Sequence, residues 1–75
     1  GAWIERNCIL NTRCSVDHDS RLGEHCHIAP GVTICGDVGI GAHAFVGAGA
    51  TIVQGSVIGP GGFVRAGSLV SGDLS

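Results

Sequence analysis

An all-β solenoid is the fold class this sequence predicts, and three columns of residues predict it. Counting every sixth position from Ile4 gives Leu10, Val16, Leu22, Ile28, Ile34, Ile40, Val46, Ile52, Ile58, Val64 and Val70, all branched aliphatics. Two residues before each lies a small residue, from Ala2, Cys8 and Cys14 through Ser20, Cys26 and Val32 to Gly62 and Ser68. Three residues after each lies a third column, running from Asn7, Arg13, Asp19 and His25 to Gly61, Gly67 and Asp73, most of whose members are residue types that tolerate positive φ. A sustained period of this kind marks a repeat architecture in which each unit buries its face only against its neighbours.

The columns fix the shape. Residues two apart on a strand share a face, so the small and large columns both point inward from one short strand. The third column marks a sharp corner. Three strands and three corners close a triangle, so eighteen residues make one coil. Gly1 to His18 form the first coil, Asp19 to Gly36 the second, Asp37 to Gln54 the third and Gly55 to Gly72 the fourth. Wall A takes residues 2–5, 20–23, 38–41 and 56–59; wall B takes 8–11, 26–29, 44–47 and 62–65; wall C takes 14–17, 32–35, 50–53 and 68–71. Four coils at about 4.8 Å each stand about 20 Å tall.

Composition agrees. The chain has 75 residues, 44% of them apolar, with 14 Gly and no Met or Tyr. The period spreads the apolar residues, so no run approaches membrane-spanning length. Four basic residues, all Arg, and a net charge of −2 argue against a nucleic-acid surface. The length holds one domain, residues 1–75. A chain this short buries only about 60% of its unfolded surface, and a solenoid leaves a sheet edge open at each end. The expectation is a piece of a larger protein, an oligomer, or both. No targeting segment is visible and nothing demands an oxidising compartment, so a cytoplasmic location is expected.

The polar residues gather in the first two coils, and that is where chemistry is expected. Register separates the four histidines. His25 and His43 fall in the corner column and read as turn residues. His18 precedes a corner, between Asp17 and Asp19, and His27 points outward from wall B; neither place requires imidazole structurally. Cys8, Cys14 and Cys26 fall in the inward small column as core thiols. Cys35 points outward one coil above Asp17, a neighbour that disfavours thiolate. The stretch Gly39-Ile40-Gly41-Ala42-His43-Ala44 imitates a dinucleotide fingerprint but lies wholly in the six-residue register with no helix to follow.

The stretch Asn11-Thr12-Arg13-Cys14-Ser15-Val16-Asp17-His18-Asp19, followed by His25-Cys26-His27-Ile28-Ala29-Pro30-Gly31, resembles the hexapeptide sugar acetyltransferases. These are sialic-acid O-acetyltransferase-like enzymes and the N-acetyltransferases of nucleotide-linked 4-amino sugars. They carry an Asn, a His followed by an acid, and a second His in this order and spacing. The resemblance implies a left-handed parallel β-helix and acetyl transfer from acetyl-CoA to an amine or hydroxyl of a sugar. It implies His18 as general base, Asp19 raising its basicity, Asn11 near the acceptor and His27 on the acetyl group. It also places the coenzyme along the corner after wall B, touching His27, Ala48 and Ala66. The acid here is Asp where some members have Glu, and the N-terminal nucleotide-sugar-binding domain usual in the family is absent from these residues.

The residue types suit that chemistry. Something must take a proton from the attacking amine or hydroxyl, and imidazole titrates nearest neutrality. No metal is expected. A γ-type carbonic anhydrase on the same fold needs two histidines five apart, and no pair among His18, His25, His27 and His43 has that spacing. A bare solenoid used for trimerisation would show the same repeats and stays open as a non-enzymatic alternative. If His18 and His27 serve one site, they must come from different subunits. They lie on opposite sides of the triangle, across a wall of about 17 Å. A head-to-tail homotrimer is therefore expected.

Overall fold

In the computed structural model, which describes residues 2–74, the chain winds as a triangular parallel β-solenoid. Its strands are two residues each: β1 (Trp3–Ile4), β2 (Ile9–Leu10), β3 (Ser15–Val16), β4 (Arg21–Leu22), β5 (His27–Ile28), β6 (Thr33–Ile34), β7 (Gly39–Ile40), β8 (Phe45–Val46), β9 (Thr51–Ile52), β10 (Val57–Ile58), β11 (Phe63–Val64), β12 (Leu69–Val70) and β13 (Asp73–Leu74). Three parallel sheets result, in the orders β1-β4-β7-β10-β13, β2-β5-β8-β11 and β3-β6-β9-β12. These are walls A, B and C. Their register steps by eighteen residues, as in Ile4 over Leu22 and Leu22 over Ile40.

The aliphatic column forms the core. Leu22, Ile28, Ile34, Val46 and Ile52 are wholly buried, and small Cys26, Ala44 and Ala50 fill the space between them. Ser20 and Ser56, both buried, are satisfied inside the repeat. Ser20 Oγ donates to the Cys35 carbonyl at 2.7 Å and accepts from the Val38 amide at 3.1 Å. In the first coil Ile4 and Leu10 are about two-fifths exposed, since among the described residues no coil lies beneath them.

The corners behave as their residue types require. Asn7, Arg13, Asp19, His25, Asp37 and His43 all adopt φ between 58° and 64°. Those in the upper coils donate their amides one coil down, as His43 N does to the Glu24 carbonyl at 3.0 Å. His25 and His43 are turn residues, as expected, and their rings stack at 5.1 Å.

One corner residue is corrected. Asp73 does not turn the chain; Gly72 does, at φ 89°, and Asp73 lies in β13. The last step is therefore sixteen residues, with Val57 paired to Asp73 and Ile58 to Leu74. Ser56 absorbs the shortening. Its Oγ accepts from the Gly72 amide at 3.1 Å, the part that Ser20 plays for Val38.

Candidate active site

His18 and Asp19 occupy the corner between walls C and A. The His18 amide donates to Asp17 Oδ1 at 2.7 Å, which closes the turn. Its ring turns to Asp19, with Nδ1 3.2 Å from Oδ2. A carboxylate accepts, so in the neutral ring this contact puts the proton on Nδ1 and leaves Nε2 its lone pair. The side chains are 67% and 77% exposed. A pair so open to water contributes little to stability, and its consequence is the orientation of the ring.

Asn11 and His27 meet on wall B. Asn11 Nδ2 donates to the Ile28 carbonyl at 3.2 Å and lies 3.1 Å from His27 Nε2. The carbonyl can only accept, which fixes which end of the amide is nitrogen. His27 Nε2 therefore accepts, and its proton sits on Nδ1. The His27 ring leans on Phe45 at 4.9 Å, and Phe45 stacks on Phe63 at 5.3 Å. Ile9 lies below His27 in the same ladder. Ile9 and Phe63 are exposed, so the outer face of wall B carries an apolar strip with a half-buried imidazole set in it.

Ala48 and Ala66 are exposed at the corner after wall B. The chain there is drawn close by Gly47, where a Cβ would stand 2.5 Å from the Ala66 nitrogen. The edge is thus nearly bare backbone, approachable by an extended ligand.

The structure brings His18 to Asp19 and Asn11 to His27, and it leaves the two pairs on different faces of the prism. Beside the first pair a shallow recess on wall A is lined by Trp3, Asp19, Ser20, Arg21 and Asp37. The sequence reading missed it. Its only signal was that Trp3, Arg21 and Gly39 stack in register, leaving a gap above an exposed arginine.

The cysteines are free. Burial, above all, pushes the Cys26 thiol above its ordinary range, and the neighbouring Cys8 adds to this. The Ala44 backbone works the other way without reversing it. Cys26 Sγ donates to the Gly41 carbonyl, so it is a packed core thiol and no nucleophile. Among the described residues no three His, Cys, Asp or Glu side chains converge.

Repeat and triangle define the fold class: a hexapeptide-repeat parallel β-solenoid. The family model of the bacterial transferase hexapeptide (six repeats) matches residues 1–36. The chain is similar to perosamine N-acetyltransferase from Caulobacter crescentus, solved as a histidine-to-asparagine mutant in complex with CoA and GDP-perosamine. Identity is 42% and the TM-score 0.95, over 97% of this chain and 35% of that one. The chain thus spans about a third of the length of that enzyme. No curated protein sequence matches it significantly.

Proposed function

We propose that this solenoid transfers the acetyl group of acetyl-CoA to the amine of a nucleotide-linked amino sugar. The observation that carries the reading is the His18–Asp19 pair, which in the neutral ring leaves Nε2 free to accept, with Asp19 itself lining the open recess. The 42% identity to an N-acetyltransferase holding CoA and a sugar nucleotide supports it and favours an amine over a hydroxyl.

The acceptor amine attacks the thioester carbonyl carbon. His18 Nε2 takes the amine proton as the N–C bond forms, and Asp19 stabilises the imidazolium. The C–S bond then breaks, and the coenzyme leaves as a thiol with the proton returned from His18. The sugar enters by the recess, where the indole of Trp3 offers a flat face and Arg21 a guanidinium for phosphate. The coenzyme lies along the Ala48–Ala66 edge. His27, with its proton on Nδ1, offers a donor to the acetyl oxygen.

The two halves of this site belong to adjacent copies in a head-to-tail trimer, with His18 of one subunit facing Asn11 and His27 of the next. The apolar strip of Ile9, Phe45 and Phe63 supports such a contact. Coenzyme release measured with acetyl-CoA and GDP- or UDP-linked 4-amino sugars tests the activity. Turnover by wild type and a loss of roughly 10²–10⁴ in His18→Ala are expected; equal rates in the two proteins would remove the base. Mixing His18→Ala with His27→Ala chains tests the sharing. Mixed trimers should recover activity, and an active monomer would exclude it.

A further inference from the structure

Gly36 sits one coil above His18, in the position that precedes each corner. Across the twelve corners of the described residues that position otherwise holds Arg, Thr, His, Glu, Pro, Ala, Gln or Ser, and Gly36 is its only glycine. The backbone does not ask for glycine there, because Gly36 is not among the positive-φ residues. It is also the only buried member of its column. What lies against it is the imidazole. A Cβ on Gly36 would stand 3.1 Å from His18 Cε1, 3.3 Å from Nε2 and 3.5 Å from Nδ1.

We infer that Gly36 is a positioning residue, a flat seat that holds the His18 ring with Nδ1 on Asp19 and Nε2 free. The inference deepens the reading of His18 as general base. His18 is two-thirds exposed, so the Asp19 carboxylate at one edge of the ring and Gly36 against it carry its placement. A methyl at Gly36 lifts the ring by a few tenths of an ångström. The ring is free to yield outward, so the fold survives and the imidazole–carboxylate alignment does not.

The test is Gly36→Ala in the whole chain, read in two ways. Nitrogen-15 spectra of the imidazoles at about pH 8.5, where an ordinary histidine is neutral, report the His18 tautomer without any need for activity. Wild type should hold the Nδ1 proton, and the variant should shift toward the Nε2-protonated form. In the acetyl-transfer assay kcat should fall about tenfold or more, with KM for acetyl-CoA unchanged. An unaltered tautomer ratio would overturn the inference, as would an unaltered kcat or a loss confined to KM. If wild type transfers no acetyl group, the functional reading fails and the tautomer alone decides the seat. If Gly36→Ala does not fold, the substitution is repeated in His18→Ala, where the ring is gone. A folded double variant supports the seat; failure to fold there assigns the glycine to the backbone instead.

Discussion

Asn11 holds His27 from one coil below, and a single amide donates both to the imidazole Nε2 and to the Ile28 carbonyl. Asn11→Asp reverses this arrangement. A carboxylate cannot donate, so His27 must turn its proton to Nε2 to meet it. The expected outcome is a switch of the His27 tautomer in nitrogen-15 spectra, with acetyl-CoA binding weakened by up to about tenfold, the value of one hydrogen bond. An unswitched tautomer would show that Asn11 does not set the ring.

Asp19 turns the corner at φ 60° and orients His18, and substitution separates the two tasks. Asp19→Gly keeps the turn and deletes the carboxylate. It should unfold within about 1 kcal/mol of wild type and lose most of its kcat. Asp19→Ala should cost a further ~1–2 kcal/mol, because Ala disfavours the left-handed region. Urea titration of both variants distinguishes them.

Gly41→Ala tests how closely the coils pass. Its Cβ would lie 2.4 Å from the Pro60 nitrogen, and that backbone is held by its own coil. A loss of roughly 1–3 kcal/mol is expected. Ala48→Trp is the contrasting surface change. It should leave the melting temperature alone while abolishing the stabilisation that acetyl-CoA gives. Unchanged coenzyme affinity would move the coenzyme off this edge.

The Cys26 thiol predicts an alkaline limb in stability. Its pKa is raised in the folded chain above the ordinary 9.0, so between the two values the unfolded chain binds fewer protons than the folded one. Stability attached to this thiol is complete below pH 9.0 and falls as pH rises beyond it. Cys26→Ala, matched in size to Ala44 in the same column, should flatten that limb in melting curves taken from neutral pH upward.

The fold was legible because one period governs nearly every residue. A strict column of aliphatics can be counted, and so can the corners, since Asn, Asp, His and Gly share a tolerance of positive φ. The slip at Gly72 was not legible. Asp73 is as good a corner residue as Asp37, and only pairing against β10 decides between it and its neighbour. The grouping of His18 with Asp19 and of Asn11 with His27 followed from register. The direction of each amide and imidazole did not, because it rests on distances of about 3 Å between side chains. Gly36 was hidden among fourteen glycines. Its significance comes from the ring beside it.

The sixteen-residue final step shows what kind of length change this architecture accepts. Leu74 still faces inward over Ile58 because the coil lost two residues. Loss of one would have turned Leu74 outward and Asp73 into the core, since side chains alternate along the strand. Parity, rather than length, is thus the conserved quantity of a coil. A deletion that keeps the corner and shortens the extended stretch should therefore be tolerated in an even step and turn the inward column outward in an odd one.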